Sequence, residues 1–190
     1  NRVEKFLQQI GFIYVKNNNL SVKQELLDAI GNWELLRKER KVSVSKVRDI
    51  YHFMSVGKGI ARGKKKLPGL SEEELVDIEE LKEKHGLLTD EIWHKAFDRV
   101  GAQQREYLIA CLRRGEKATK PRIRLSTIHA AKGGEADNVV VFTDISVKTA
   151  NELYARPDGE NRAFYVAVTR TRKNLHIIQP STSKFFKPIL

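Results

Sequence analysis

The sequence predicts a mixed α/β fold with a helical stretch set into it. Three observations carry this. Residues 123–179 alternate short β-branched runs with a glycine loop and a helical segment. Residues 1–40 read as helix, strand, turn and helix, and residues 41–118 show only helical periodicity. Residues 1–40 and 119–190 therefore form an α/β part around an all-helical insertion at 41–118.

Bulk properties bound the function. The chain's 190 residues suffice for one domain with a small insertion, and its 41% apolar content supports a core. A net charge of +11 and a pI near 9.8 favour a polyanionic partner. Nucleic acid comes before an anionic membrane surface, because no basic amphipathic anchor is present. Cys111 is the single cysteine, which excludes an internal disulfide and the cysteine-based metal frameworks. No signal peptide or long apolar run appears, so a cytoplasmic protein with no membrane partner is expected.

The chain opens on an amphipathic helix, with Val3, Phe6, Leu7 and Ile10 at helical spacing and Gly11 as its stop. It has no leading Met or cap, so a domain of a longer protein is expected. Residues 12–15 read as a strand and 17–19 as a turn. Ser21 is the expected cap of a helix over 22–38, with Leu26, Leu27, Ile30 and Leu35 inward. Gly31 weakens its middle.

Residues 36–66 carry eleven Lys and Arg against Glu39 and Asp49. Residues 44–56 are predicted helical, with Val47, Ile50, Tyr51 and Met54 on one side. Residues 57–66 read as a flexible cationic loop. Its glycine spacing is one residue too long for a phosphate loop, and no Ser or Thr follows Lys64. A solvated basic loop and a phosphate-backbone contact through Lys64, Lys65 and Lys66 both fit.

Pro68 and Gly69 break the chain, and Ser71 with Glu74 matches a capping box opening an acidic helix to His85. Its carboxylates lack calcium-loop spacing and read as a solvated face. Residues 89–93 begin a further helix with Trp93 and Phe97 inward, and another runs from Gln103 to Arg114, ending at Gly115. His85 and His94 lack a paired metal spacing.

The chemistry concentrates after residue 122. Residues 123–129 read as a strand, broken by Ala130–Gly134, whose glycines allow positive φ and close backbone approach. Residues 136–142 resume as a buried strand. This places Thr127, His129, Lys132 and Glu135 at a sheet edge, where α/β sheets bind ligands; an ordinary charged loop is the alternative. Residues 160–171 read as a helix with Ala163, Val166, Ala167 and Arg170 on one face. Residues 175–178 follow as a buried strand. Arg170 and Arg172 lie where a helix dipole favours cations. That suffices for Arg172; for Arg170, on a mostly apolar helix, a phosphate partner fits equally. The end, Lys184–Pro188, fits a disordered tail, a packing strand or a docking peptide.

The run TIHAAKGGE at 127–135 resembles motif V of the superfamily 1 UvrD/Rep/PcrA-type DNA helicases, usually T-x-H-x-A-K-G-L-E before a buried strand. The run ENRAFYVAVTR at 160–170 resembles their motif VI, and the order and spacing of the two fit. Gly134 stands where the family usually has Leu, Asn161–Ala163 is looser than the usual basic pair followed by Leu, and Thr171 replaces the usual Ala. Gly11–Tyr14 and Asp28–Ile30 weakly resemble the family segment after motif IV. Motif IV and its arginine would lie just before Asn1.

The resemblance implies a RecA-like (P-loop NTPase-type) 2A domain interrupted by a small all-helical 2B-like insertion. It implies that Arg170 acts catalytically, supplying positive charge to the ATP γ-phosphate. Glu135 would accept a hydrogen bond from the ribose and Gly133 would let the backbone approach. Thr127 and His129 would touch single-stranded DNA. No phosphate loop and no Mg²⁺-binding acidic pair is present, so the 190 residues alone are expected to bind neither ATP nor Mg²⁺. The expected partners are single-stranded and duplex DNA and an N-terminal RecA-like 1A domain, in a monomer translocating 3′ to 5′. A non-catalytic nucleic-acid-binding module with a degenerate helicase fold is the alternative.

Overall fold

In the computed structural model, which describes residues 2–179 and 185–186, helix α1 (Arg2–Gln9) ends where Gly11 takes a φ of +73°. A Cβ there would sit 2.6 Å from the Ala110 carbonyl carbon, so the stop is also a close backbone crossing. Leu7 is the buried residue of α1, whereas Phe6, expected inward, is 57% exposed. Strand β1 (Tyr14–Lys16) turns through Asn17 and Asn18, both with positive φ, into β2 (Asn19–Leu20). Two consecutive left-handed residues are what a two-residue hairpin turn requires, and Asn tolerates them.

Helix α2 (Gln24–Leu36) starts later than expected, with Lys23 at its N-cap. Ser21 is used elsewhere. Its hydroxyl accepts from the Tyr14 amide at 3.0 Å and pairs with the Tyr107 hydroxyl at 2.6 Å, which in turn donates to the Phe12 carbonyl. A buried polar chain thus outcompetes the cap. Leu26 and Ile30 are buried as expected, but Trp33 and Leu36 replace the half-exposed Leu35 on the inner face.

Strand β3 (Val42–Ser43) runs directly into α3 (Val44–His52), which buries Val47, Ile50 and Tyr51 as its spacing predicts. Residues 57–66 are not a loose loop. Ile60 is fully buried, its carbonyl accepts from the Gly57 amide, and bonds from the Ala61 amide to the Gly86 carbonyl and from the Leu88 amide to the Gly59 carbonyl tie this stretch to residues 86–88. The expected helix from Ser71 is also displaced. Glu74 does return a bond to the Ser71 amide, but Leu75–Val76 form strand β4, antiparallel to β3. Burying Val76 against Val42 overrides the capping signal. Helix α4 (Ile78–Glu83) instead begins at Asp77, whose carboxylate accepts from the Glu80 amide.

Helix α5 (Trp93–Ala96) and helix α6 (Ala102–Arg113) follow, with Gly115 at φ +69° after α6. Because β3 and β4 pair within it, the stretch 41–118 is not all-helical, contrary to expectation. One continuous core gathers Trp33, Tyr51, Met54, Phe97 and Leu108. The Trp33 indole donates to the Glu91 carbonyl at 3.0 Å, so even the largest side chain is buried with its polar atom satisfied. Strand β5 (Ile123–Leu125) pairs beside β1, in the order β2-β1-β5. Glu116 is buried nearby: its carboxylate accepts from the Ile13 amide and from the Arg122 guanidinium.

The chain divides into two units, 1–124 and 125–190. The second unit has a parallel pair, β6 (Ala136–Phe142) and β7 (Thr171–Ile178), joined through α7 (Val147–Ala155) and α8 (Pro157–Val168). Its core is small, built on Val141, Phe164, Ala167 and Phe186. Both strands were expected to be buried; instead Val140 and Phe142 are 49% and 42% exposed, and Leu175 and Ile178 are partly exposed as well. The apolar run is continuous because a parallel strand presents side chains to both faces, and α8 covers one of them. Among the described residues, no helix is long and apolar enough to cross a membrane.

Candidate nucleotide and nucleic-acid site

Motif V folds as a turn rather than as the end of a strand. β5 stops at Leu125, and His129–Ala131 form a single 3₁₀ turn. Thr127 causes this: its carbonyl accepts from the Ala131 amide at 3.1 Å and its hydroxyl from the Ala130 amide at 3.2 Å. A side chain that satisfies a free N–H at a helix start favours the turn over strand extension. Ile128, one residue on, packs against the Val141–Phe164 core and anchors the turn. His129, Lys132 and Glu135 are left exposed. Gly133 takes a φ of +81°, the left-handed conformation expected of one of the two glycines, and a Cβ there would meet nothing within 4 Å. The conformation, not the space, selects glycine at this position.

Motif VI ends earlier than expected. Helix α8 stops at Val168 with Thr169 as its C-cap, and β7 begins at Thr171. Arg170 therefore lies in the joint between helix and strand. Its Nε donates to the Val166 carbonyl at 3.0 Å and its NH2 group to the Thr169 hydroxyl at 3.1 Å. These bonds fold the guanidinium over the carbonyl end of α8, where a cation is favoured. They use two of its five N–H donors. The other three have no partner among the described residues, and the side chain is half-buried rather than sunk in the apolar interior.

The two motifs meet. The Ala136 amide donates to the Arg170 carbonyl at 3.0 Å, and Ala136 pairs with Thr171 in the first rung of the parallel ladder. Glu135 and Arg170 thus flank the same end of the β6–β7 pair. This is the amino end of the strands. Open α/β sheets build their own ligand crevice at the carboxyl end, so the sheet-edge argument from sequence does not apply to the end where these residues lie. Arg172, assigned from sequence to the helix dipole, is in the strand, and it and Lys173 both bind Asp137, at 2.8 and 2.7 Å.

A family comparison now bears on this geometry. The UvrD-like helicase C-terminal domain family matches residues 1–182. The chain belongs to that family. No curated protein and no solved structure matches it. Membership makes this a C-terminal region of the helicase family, a family that suggests DNA as partner.

The sequence-predicted residues of the UvrD-like domain fall in both units. Thr127, His129, Gly133, Glu135 and Arg170 belong to the second; Lys64, Lys65 and Lys66 belong to the first. Lys64 is half-buried and its ammonium donates to the Lys84 carbonyl at 3.3 Å, while Lys66 is exposed. Three contributors escaped the sequence reading: Ile128, Thr169 and Asp137. Thr169 had a signal, since a Thr before the arginine at a helix end can bond back to the preceding turn. Asp137 had none, because its partners are 35 and 36 residues away.

Proposed function

We propose that this chain completes an ATP site whose phosphate loop and Mg²⁺-binding acids belong to a neighbouring RecA-like 1A domain, and that it forms part of the DNA track. The hydrogen bond from the Ala136 amide to the Arg170 carbonyl supports this best. It keeps Glu135 and a guanidinium with unspent donors at one end of the ladder, an end better suited to reaching into a neighbour's pocket than to forming its own. Arg170 would place positive charge against the γ-phosphate as charge develops there. Glu135 would accept a hydrogen bond from the ribose hydroxyl, beside the backbone at Gly133. Thr127 and His129 would contact single-stranded DNA, and Lys64, Lys65 and Lys66 its phosphates. Because Thr127 and Glu135 lie on one short loop, closure onto the neighbour would alter strand and nucleotide contacts together. In this reading residues 1–40 and 119–190 form the 2A domain and 41–118 a 2B-like insertion. The assembled protein is an ATP-dependent DNA helicase acting as a cytoplasmic monomer on single-stranded and duplex DNA.

The test is Arg170→Ala in the protein assembled with its phosphate-loop domain. ATP hydrolysis should fall by about 10³-fold or more, the range of an arginine finger, with single-strand affinity within about twofold, the expectation for a charge outside the DNA track. Retained hydrolysis refutes the role. The isolated 190 residues should hydrolyse no ATP. The net charge of +11 supports a second reading, a non-catalytic nucleic-acid-binding module. Salt-dependent strand binding with no hydrolysis in any assembly would establish that one instead.

A further inference from the structure

The chain comes back to the carboxyl end of the β6–β7 pair at Phe185 and Phe186. Phe185 bridges Asp144 in antiparallel fashion, and the Phe186 amide donates to the Thr143 carbonyl at 2.9 Å. Thr143 is itself 1% exposed, with its amide and hydroxyl both on the Ile178 carbonyl. The Phe186 backbone is thus tied to the ends of both strands. Its ring lies on the Phe164 ring, with centroids 3.7 Å apart and planes 5° from parallel. Phe186 is one of four residues forming the buried core of this unit, and two of the other three, Phe164 and Ala167, are on α8.

This matters for Arg170 because its backbone is held at the ladder's amino end by the Ala136 amide, while its side chain is held by α8 and the turn after it. Phe164 precedes Arg170 by six residues, a separation of about 9 Å along a helix at 1.5 Å per residue. In between, Val166 and Thr169 hold the guanidinium. Helix α8 packs against α7 and β6, and within the small core the Phe164–Phe186 pair adds a stacked aromatic contact to that seat.

Building on the reading of Arg170 given above, we infer that Phe186 is a positioning residue for the arginine: by clamping Phe164 it fixes the seat of α8, and so the place where the guanidinium is presented. Phe186 then acts on catalysis through α8, without touching nucleotide. The sequence left three fates open for Lys184–Pro188; Phe185 and Phe186 pack, while Lys184, Lys187 and Pro188 lie outside the described residues.

Two measurements test this. In the 190-residue chain, Phe186→Ala should speed hydrogen exchange at the amides of residues 164–170 about tenfold or more. The β6–β7 amides should stay within about threefold, since their ladder bonds remain. Phe186→Leu, which keeps apolar bulk, should restore most of the protection in α8. Unchanged α8 exchange, or uniform loss across residues 125–179, overturns the inference; the second outcome would make Phe186 merely structural. In the protein assembled with its phosphate-loop domain, Phe186→Ala should lower kcat about tenfold, with KM for ATP and strand affinity within about threefold. The same change in an Arg170→Ala background should add no further loss. Equal proportional losses in both backgrounds overturn the inference. Should Arg170→Ala alone leave hydrolysis intact, the reading of Arg170 fails, while the exchange result still decides whether Phe186 seats α8.

Discussion

Glu116 offers a sharp test of how the first unit is held. It is 8% exposed, and its carboxylate joins the Ile13 amide, at 3.3 Å, to the Arg122 guanidinium. Ile13 and Glu116 are 103 residues apart, so the contact closes the chain's first segment against the one leading into β5. Glu116→Ala leaves a buried N–H without an acceptor and removes a charge-assisted pair. An unsatisfied buried donor costs about 1–3 kcal/mol, and breaking a buried pair about 3–5 kcal/mol. The Arg122 side chain is 64% exposed, so water takes up the abandoned guanidinium and the lower figures apply. The expected destabilisation is about 3 kcal/mol. Glu116→Gln keeps an acceptor but loses the charge, and should cost about 1 kcal/mol. Arg122→Ala strands the Glu116 carboxylate, whose side chain is 2% exposed, without its cation and also removes the stacking over Phe12, so it should cost about 3 kcal/mol. Both tryptophans of the chain, Trp33 and Trp93, are buried in this unit, so their fluorescence in urea follows its unfolding alone. At an m-value of about 2 kcal/mol per molar, Glu116→Ala should lower the midpoint by about 1.5 M. Equal costs for Glu116→Ala and Glu116→Gln would refute the reasoning, because charge and acceptor would then contribute nothing separable.

Gly11→Ala should destabilise the same unit by about 3 kcal/mol, from a left-handed φ and the overlap with Ala110. Gly57→Ala, with φ +91° but open space around it, should cost about 1–2 kcal/mol, and equal urea midpoints for the two would remove the steric argument. Burial tends to raise the Asp98 carboxyl pKa, but hydrogen bonds from the Ser55 hydroxyl and amide, with Lys58 nearby, outweigh it and hold the pKa below the usual carboxylate range. A lowered folded pKa gives stability that is present above the unfolded value, about 4, and is lost as pH falls through the folded one. Asp98→Asn should therefore flatten the acid limb of the stability profile below about pH 4, and an unchanged limb would show that the Ser55 bonds contribute nothing.

Elements defined by apolar period and local stops were legible in the sequence: α1 by Gly11, the turn at Asn17–Asn19, the inner face of α3, and the extent of α6 up to Gly115. The misplaced ones share a cause. Ser21 and Ser71 both looked like helix caps, but each local signal is worth about 1 kcal/mol. Tertiary terms of similar or greater size compete with it: for Ser21 the Tyr14–Tyr107 bonds, for Ser71 the pairing of β4 with β3. Helix α7 was not foreseen at all, although Ser146 caps it by accepting from the Thr149 amide at 3.1 Å. Strand β7 extends four residues earlier than its apolar pattern, because Thr171–Asn174 are held by backbone pairing with β6 and by Asp137 rather than by burial.

The family was legible in the motif residues to a greater degree than the fold around them, and the reason is chemical. A loop that presents Thr, His, Lys and Glu around a left-handed glycine needs those residue types at that spacing whatever packs beneath. The supports do not carry such a demand. Ile128 and Phe186 need only be apolar and suitably sized, and many residues meet that condition. Under the function proposed for Arg170, the arrangement would let one residue serve both structure and chemistry. Two of its donors close the carbonyl end of α8, which restricts the rotamers of a side chain that would otherwise have to be ordered on each closure. The remaining donors would then be fixed in direction before a nucleotide is met. Preorganisation of this kind favours a transition state over a ground state, because no reorganisation is needed as charge develops. It also makes Thr169 sensitive: a residue at 169 without a hydroxyl would leave the guanidinium charged but less well aimed, weakening catalysis more than binding.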